Sequence, residues 1–366
     1  MSNTQKIKLL IVTPTLQCGG SEKFVSLLCN HINTQLFSVC LVVVNNAKPF
    51  CQITNPAIKV IDLKKDRVLF SLPAIKAVVK HFKPAIIFST ANHLNLYLAI
   101  FKNSFATGIK FIAREANIVS INSKEAKMPS LYNWFIKKYY HRFNHIICQS
   151  LYMQQDLVSH YHIDVDKTTV IHNAVQEVAE PPVKVDKQNS EQFYTFITIA
   201  RLSKQKGIDR LIHAVGLLSL PYKYYIIGEG NKRHDLQKLI DELQLNDKVF
   251  LLGERTNPFN GMENADLFLF GSYYEGFPNV LLEAGSHGIP VIAFNVPGGI
   301  AEIVTEAEAG LVVEDNDIIG FAAAIKKGLS TNFNRQTIIE TTKKRFAVNN
   351  MITSTENLFL TLTENK

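Results

Sequence analysis

The sequence predicts an α/β protein made of two Rossmann-like domains, each built on a doubly wound parallel sheet. Through both halves of the chain, short apolar runs rich in β-branched residues alternate with longer segments of helical period, which is the pattern of βαβ units. The length of 366 residues corresponds to two domains at roughly 100–200 residues each. A polar, proline-containing stretch without periodicity over residues 176–192 separates the halves and is interpreted as a linker.

The first predicted domain covers residues 1–175. Its strand candidates are the apolar runs at 7–13, 37–44, 58–62, 85–89, 110–114, 145–148 and 168–171. The segments between them have helical period, and parallel strands need crossover connections of that kind.

The second predicted domain covers residues 193–345. Its strand candidates lie at 194–200, 223–227, 248–252, 266–270, 290–293 and 311–313. Residues 346–366 have a helical pattern and are expected to form a C-terminal helix, for which packing back on the first domain is one arrangement. Two such domains are expected to face each other across a cleft, because open parallel sheets bind ligands beyond the carboxyl ends of their strands.

Composition excludes several protein classes. A chain that is 46% hydrophobic and 19% charged is not expected to be disordered. Its apolar runs are far shorter than the ~20 residues that a membrane-spanning helix needs. The first strand candidate starts at Ile7, which leaves no room for a signal peptide, and the five cysteines show neither CxxC nor zinc-ligand spacing. We therefore expect a cytoplasmic protein with reduced thiols.

Charge is distributed unevenly along the chain. The first 173 residues contain 20 Lys and Arg against 8 Asp and Glu, whereas the remainder contains 19 against 24. A basic half indicates an anionic partner, which could be a phospholipid surface, a nucleic acid or a phosphorylated substrate.

The strongest motif is YEGFPNVLLEA at residues 274–284, which follows a predicted strand and opens a helix. Glu275 and Glu283 are eight positions apart and are expected near the carboxyl end of that strand. Carboxylates there can accept hydrogen bonds from sugar hydroxyls, while free N–H groups at a helix start can hold a phosphate. The alternative is that Glu275 is a helix-start charge and Glu283 a solvated surface residue.

A second motif is TIARLSKQKG at residues 198–207, where a predicted strand ends in two cations five residues apart. Arg201 can bind phosphate oxygens bidentately and Lys206 can act on the same diphosphate as a point charge. Together they would stabilise a departing nucleoside diphosphate. The alternative is a pair of surface cations in a strand–helix loop.

These two motifs, in this order and at this separation, resemble the donor half of the family-4 glycosyltransferases, which have the GT-B fold. The resemblance covers nearly all of residues 195–315, including IIGEG at 226–230 and PGGIAE at 297–302. It is thinner in the first half, where TPTLQCGGSE at 13–22 is similar to the glycine-rich loop of the family.

The resemblance implies a role for each matching residue. Arg201 and Lys206 would bind the donor diphosphate, Glu283 the ribose and Glu275 the hydroxyls of the donor sugar. The implied donor-binding set is Gly19, Gly20, Arg201, Lys206, Glu275, Gly276, Phe277, Asn279 and Glu283. Such enzymes typically retain the anomeric configuration and need no metal, so neither a metal nor another cofactor is expected besides the nucleotide sugar as co-substrate.

Three further residues have open interpretations. His93 follows the strand candidate 85–89 and is either a catalytic residue near the donor sugar or a packed or surface histidine. Arg114 and Asn117 lie in REAN at 114–117, which resembles an acceptor-side motif of bacterial members. Arg114 could contact an acceptor phosphate or pair with Glu115.

One basic segment of the first predicted domain favours an acceptor that is linked to a lipid. Between residues 124 and 143 cations alternate with aromatics; the cations are Lys124, Lys127, Lys137, Lys138 and Arg142, and the aromatics are Tyr132, Trp134, Phe135, Tyr139, Tyr140 and Phe143. Such a segment suits an anionic bilayer surface, and the alternative is a long helix with its aromatics in the core. The chain carries no recognised nucleic-acid-reading module, so a nucleic-acid partner is not expected.

Taken together, the sequence predicts a glycosyltransferase of lipopolysaccharide, O-antigen or capsule assembly. It would move a hexose or N-acetylhexosamine from a UDP-sugar to a glycan, for which a polyprenyl-diphosphate-linked acceptor at the inner face of the cytoplasmic membrane is the natural candidate. The alternatives are a UDP-sugar 2-epimerase of the same architecture and a non-catalytic membrane-associated scaffold. An NAD-dependent oxidoreductase is disfavoured because residues 13–22 lack GxGxxG.

Overall fold

The computed structural model describes residues 6–17, 19–47, 49–175, 193–305 and 309–364. It divides the chain into two compact units, unit 1 (Met1–Ala174 with Val348–Lys366) and unit 2 (Val175–Ala347). Each unit is a parallel α/β sheet with helical connections, which confirms the predicted fold class. The expected linker at 176–192 lies outside the described residues.

Unit 1 contains a seven-stranded sheet within its described residues. The strands are β1 (Ile7–Thr13), β2 (Phe37–Val43), β3 (Lys59–Asp62), β4 (Ile86–Thr90), β5 (Lys110–Arg114), β6 (His145–Cys148) and β7 (Thr168–Val170). All pairings are parallel, in the order β3-β2-β1-β4-β5-β6-β7. The order reverses between β1 and β4, which is the switch point of a doubly wound sheet.

The connections of unit 1 are mostly helical. They include α1 (Gly20–His31), α2 (Leu72–Phe82), α3 (Asn92–Phe101), α4 (Val119–Lys124), α5 (Pro129–Tyr139) and α6 (Leu151–Tyr161). Central strands carry continuous apolar runs because helices cover both faces of the sheet. In β1, for example, the four consecutive side chains from Leu9 to Val12 are fully buried.

Unit 2 repeats the same architecture with six described strands. These are β8 (Tyr194–Ile199), β9 (Tyr222–Ile227), β10 (Val249–Gly253), β11 (Leu267–Phe270), β12 (Val291–Asn295) and β13 (Gly310–Glu314). Its helices are α7 (Ile208–Gly216), α8 (Arg233–Glu242), α9 (Asn279–Ser286), α10 (Ile300–Ile303), α11 (Ile318–Ser330) and α12 (Arg335–Arg345). The sheet order β10-β9-β8-β11-β12-β13 places the switch point between β8 and β11.

The last helix, α13 (Val348–Glu364), belongs to unit 1 rather than to the unit that precedes it in sequence. The ring of Phe359 is fully buried and lies 6.1 Å from Phe37 and 5.5 Å from Phe88, measured between ring centroids. The carboxylate of Glu356 accepts a hydrogen bond from the Asn33 amide at 2.6 Å. The helix thus completes the hydrophobic core beside β1, β2 and β4.

All thirteen predicted strands are present, with ends that differ from the predicted ones by at most two residues. Among the described residues, no helix combines the length and the apolar character that crossing a bilayer requires.

Candidate active site

The candidate site of unit 2 is formed by the loops that follow β8 and β11. These strands are neighbours at the switch point, so both loops leave the same edge of the sheet side by side. The Tyr273 amide donates to the Gln205 carbonyl at 2.8 Å, and the Gln205 side-chain amide donates to the Tyr274 carbonyl at 3.0 Å. Two motifs that are about 70 positions apart in the sequence are therefore joined by one backbone hydrogen bond and one from the Gln205 side chain.

Lys206 and Glu275 meet where these loops touch. The Lys206 ammonium directly contacts Oε1 of Glu275, and the Ser272 hydroxyl donates to the same oxygen at 2.8 Å. The side chains keep 25% and 13% of their surface exposed, so both remain accessible to a ligand. A cation and an acceptor-only carboxylate are thereby placed next to each other at the sheet edge.

Two glycines allow close backbone contacts at this site, Gly207 between the loops after β8 and β11 and Gly298 between the loops after β11 and β12. Gly207 has φ +53°, and a Cβ there would collide with the carbonyl oxygen of Gly271 in the opposite loop. Gly298 has φ +131°, and a Cβ there would collide with the backbone oxygen of Glu275, with which Gly298 forms a parallel bridge. Any side chain at either position would push the loops apart.

Arg210 fixes the loop that carries Ser272 and Glu275. Its side chain is almost fully buried, donating from Nε to the Gly271 carbonyl at 2.7 Å and from Nη2 to the Ser272 carbonyl. Nη1 donates to Asp315 at 2.6 Å. Arg210 was not among the predicted site residues, because it lies within an amphipathic helix and arginines on such helices are usually solvated. The one signal in the sequence was a charged residue among the apolar residues of α7.

The other donor-side residues predicted in unit 2 follow the same two strands. Arg201 follows β8 and is exposed, while Glu283 lies half-buried on α9 and Asn279 begins that helix. The ring of Phe277 is buried in the core of unit 2, 5.7 Å from the ring of Phe346. Its side chain therefore supports the loop, and donor contacts by Gly276 and Phe277 would have to come from their backbones.

Gly19 and Gly20 occupy the matching position in unit 1, after β1. Gly19 precedes α1 with an extended backbone, and a Cβ on it would collide with the Glu22 carboxylate. Glu22 also accepts a hydrogen bond from the Thr15 hydroxyl at 3.1 Å. The Glu22 carboxylate therefore lies beside the Gly19–Gly20 loop. The resemblance implies that this loop approaches the donor phosphate or the reacting centre.

His93 lies in the first turn of α3, directly after β4. Because β1 and β4 are neighbours, His93 and the Gly19–Gly20 loop follow adjacent strands at the switch point of unit 1. The His93 side chain is exposed. This position agrees with an accessible histidine rather than one packed in the core.

Arg114 is placed differently from either sequence expectation. It is fully buried at the end of β5, with Nη2 donating to Asn173 and the guanidinium stacked 3.9 Å above the Phe24 ring. Burial lowers the pKa of Arg114 to about 9. The described structure therefore shows neither an ion pair with Glu115 nor a surface position for an acceptor phosphate. Asn117 is half-buried, and its side-chain oxygen accepts from the Ile118 amide at 2.9 Å.

Glu115 is a second fully buried charge, found only in the structure. Its Oε1 accepts from Asn95 at 2.8 Å and from the Tyr140 hydroxyl at 3.1 Å, whereas Oε2 has no partner within the described ranges. Desolvation raises the pKa of this carboxyl to about 7, even though both hydrogen bonds favour its charged form.

The basic aromatic segment is partly core and partly surface. Tyr140 and Phe143 are buried, and Arg142 donates to the Ile100 carbonyl at 2.8 Å near the end of α3, so these three residues are structural. Three apolar side chains near the start of α5 and on its outer face are exposed: Met128 at 63%, Leu131 at 44% and Trp134 at 49%.

Comparison with known proteins identifies the family of this chain. A family model described as "Glycosyltransferase Family 4" matches residues 18–179, and one described as "Glycosyl transferases group 1" matches residues 182–345. The chain is 29% identical over 327 residues to the N-acetylgalactosamine-N,N'-diacetylbacillosaminyl-diphospho-undecaprenol 4-alpha-N-acetylgalactosaminyltransferase of Campylobacter jejuni, covering 85% of this chain and 87% of that protein.

Solved structures share the fold over almost the whole chain. The lipopolysaccharide outer core galactosyltransferase WaaB in its apo form superposes with a TM-score of 0.76 at 17% identity, covering 97% of this chain and 99% of WaaB. Anabaena Alr3699/HepE in complex with UDP-glucose superposes with a TM-score of 0.77 at 18% identity, covering 97% of this chain and 100% of HepE.

Replacing Arg210 by Met should lower the free energy of unfolding by about 3 kcal/mol, because Asp315 and two loop carbonyls would lose their donor. Amides 271–275 should exchange with deuterium faster. Urea unfolding and hydrogen exchange measure both effects. The control Arg233→Met removes the ion pair of Arg233 with Glu229, whose side chains are 42% and 45% exposed. Its free energy of unfolding should fall by less than about 1 kcal/mol. Equal losses in the two variants would contradict the role given to Arg210.

Replacing Glu115 by Gln should flatten the pH dependence of stability. A carboxyl whose pKa is raised in the folded state binds more protons folded than unfolded, so wild-type stability falls as pH rises from the ordinary value near 4.5 through about 7. Between pH 5 and pH 8, the wild type should lose about 2 kcal/mol relative to Glu115→Gln. Urea unfolding at both pH values measures this difference, and the exposed control Asp66→Asn should behave like the wild type.

Proposed function

This chain is a glycosyltransferase of family 4 with the GT-B fold, and we propose that it transfers a hexose or N-acetylhexosamine from a UDP-sugar to a lipid-linked glycan. Membership places the chain among transferases rather than among epimerases, oxidoreductases or non-catalytic scaffolds. The observation that carries the proposal is the contact of Lys206 with Glu275 at the switch point of unit 2. A nucleotide sugar needs a cation for its diphosphate and an acceptor for its hydroxyls within one sugar-length of each other.

The donor is held by side chains of opposite charge. Lys206 has two further N–H bonds with which to reach the diphosphate, and the exposed Arg201 can add a bidentate contact from the same loop. Glu275 accepts from the donor sugar and Glu283 from the ribose, both as carboxylates. The UDP-glucose complex of the fold neighbour HepE supports uridine as the base.

Transfer proceeds with retention by substitution on one face of the sugar. The bond between the anomeric carbon and the diphosphate oxygen breaks, and its electron pair stays on the diphosphate. The acceptor hydroxyl oxygen bonds to the anomeric carbon on the same face, while its proton passes to the departing diphosphate. Lys206 and Arg201 stabilise the charge that develops on the leaving group, which is the main catalytic contribution. His93 is the catalytic candidate of unit 1, with the proposed role of acting on the donor sugar.

The acceptor is a glycan on a polyprenyl diphosphate, as in lipopolysaccharide or capsule assembly, and the enzyme binds peripherally to the inner face of the cytoplasmic membrane. The name of the Campylobacter relative, whose acceptor carries diphospho-undecaprenol, supports this assignment. On α5 the exposed Trp134 ring lies under the Lys138 ammonium, 4.5 Å from ring centroid to Nζ. An apolar ring flanked by cations suits the interface of an anionic bilayer.

Replacing Glu275 by Gln should lower kcat/KM for sugar transfer at least about a hundredfold, because a neutral amide oxygen accepts from the donor hydroxyls more weakly than a carboxylate and no longer pairs with the charge of Lys206. Lys206→Met should cause a loss of similar size. Mass analysis of the glycosylated acceptor measures transfer, and thermal stabilisation by UDP-sugars measures donor binding. The control Glu254→Gln, at an exposed acid of the same unit, should transfer normally. Unchanged rates in Glu275→Gln would refute the role of this carboxylate.

The double substitution Leu131→Ser with Trp134→Ser should weaken binding to vesicles containing phosphatidylglycerol about tenfold, since it removes the apolar contacts of α5. Wild-type binding should also fall as salt is raised, because the nearby lysines are screened. Vesicle sedimentation measures both trends. Ile319→Ser removes an apolar side chain of unit 2 that is 76% exposed and should leave binding unchanged. A loss as large in Ile319→Ser would argue against α5 as the membrane contact.

A further inference from the structure

The turn that joins β4 to α3 in unit 1 has a strained backbone. Ala91, which precedes α3, has φ +76° and ψ +126°, a conformation that residues with a Cβ rarely adopt. The next residue, Asn92, is buried, and its side-chain nitrogen has no hydrogen-bond partner among the described residues. His93, the catalytic candidate of unit 1, follows directly and is exposed. The turn that presents His93 is therefore unfavourable by itself, and the surrounding structure must hold it.

Asn95 is the side chain best placed to hold this turn. It lies one helical turn after Ala91, and its backbone amide donates to the Ala91 carbonyl at 2.9 Å. Its side chain is fully buried, where an amide is costly unless its polar atoms are paired. The presence of an asparagine inside α3 is therefore explained by the partners of its side chain.

Three hydrogen bonds tie the Asn95 side chain to the ends of two neighbouring strands. Its oxygen accepts from the Ser89 hydroxyl on β4 at 2.7 Å. Its nitrogen donates to the carbonyl of Arg114, the last residue of β5, at 3.0 Å and to Oε1 of Glu115 at 2.8 Å. The opposite orientation of the amide would set its oxygen against these two acceptors, so the network fixes the side chain in one position.

Glu115 anchors the other side of this network. Its carboxyl group is fully buried, and the same Oε1 accepts from the Tyr140 hydroxyl at 3.1 Å. Tyr140 is itself buried and directly follows α5. The turn at Ala91 is thus connected through Asn95 and Glu115 to β5 and to the end of α5.

We propose that Asn95 is a positioning residue of the transfer reaction, which holds the strained turn at Ala91 and thereby fixes His93 at the switch point of unit 1. The inference deepens the proposed function, since it rests on the catalytic role proposed for His93. An asparagine with only a structural role would stabilise unit 1 and leave the rate of the folded enzyme unchanged. The strain makes the difference, because a turn released by Asn95 would relax and move His93.

A double-mutant cycle in the full-length chain tests this role. Asn95→Ser and His93→Ala should each lower kcat for sugar transfer at least about tenfold, because a misplaced or missing catalytic group loses most of its contribution. The double variant should be slower than His93→Ala by no more than about twofold, since Asn95 acts through His93. Mass analysis of the glycosylated acceptor measures the rates, and each rate is divided by the folded fraction.

Two further variants separate the turn from the stability of the unit. Ala91→Gly, added to Asn95→Ser, should raise kcat again by about threefold or more, because glycine adopts this φ without strain and the turn no longer gains by relaxing. Ser89→Ala removes one hydroxyl from the network and should lower kcat about threefold. If Asn95→Ser does not fold, Ser89→Ala takes its place in the cycle.

Asn144→Ser is the matched control. The Asn144 side chain accepts from the Phe111 amide at 2.8 Å and from the Lys102 ammonium at 3.0 Å. It therefore also ties an end of α3 to β5, but at the helix end that lies away from His93. Its loss should lower the unfolding temperature and leave the rate of the folded enzyme within about twofold of the wild type.

The possible results separate this inference from the proposed function. Additive losses in the double variant, a full rate in Asn95→Ser, no gain from Ala91→Gly or an equal loss in Asn144→Ser would each overturn the role of Asn95. A full rate in His93→Ala would overturn the role of His93 and this inference with it. Failure of the proposed function would appear instead as transfer that Glu275→Gln leaves unchanged. Thermal stabilisation by UDP reports on the unit 2 site and should be equal in the wild type and in Asn95→Ser.

Discussion

The candidate site depends on one contact between two loops of unit 2, which Arg210 and Gly207 make possible. Gly207 lets the two backbones approach, Gly298 lets the loop after β12 approach Glu275, and Arg210 donates to the carbonyls of residues 271 and 272. Only then do Lys206 and Glu275 meet. A buried guanidinium is costly unless its donors are satisfied, and here loop carbonyls and Asp315 satisfy them. The cation that supports the site is therefore distinct from the cation that faces the ligand.

The fold was predictable because the hydrophobic pattern determines it. Parallel strands covered on both faces are short continuous apolar runs, and helices with one buried face have a period near 3.6, so the two alternate visibly in the sequence. That the two site loops lie side by side was also predictable in part. The two strongest motifs follow β8 and β11, and these strands are neighbours at the switch point in the usual doubly wound order.

Side-chain burial was less predictable, because it depends on which residues from distant segments surround a position. Arg114 ends an apolar strand and was expected to contact an acceptor phosphate or to pair with Glu115. Both side chains are instead fully buried with different partners: Arg114 contacts Asn173 and Phe24, and Glu115 accepts from Asn95 and Tyr140. Phe277 was assigned to the donor site from its place in a motif, and the motif did not show that its ring packs in the core against Phe346. Arg142 belonged to a basic run but binds backbone carbonyls of α3.

The position of α13 has a consequence for biosynthesis. Phe359 packs on Phe37 and Phe88, so the core of unit 1 requires a helix that is synthesised only after all of unit 2 has been made. Unit 2 is contiguous in sequence and can finish folding first. Until α13 has been synthesised, the apolar surface of unit 1 that it covers stays exposed. Nascent unit 1 is therefore expected to need chaperone protection more than unit 2 does.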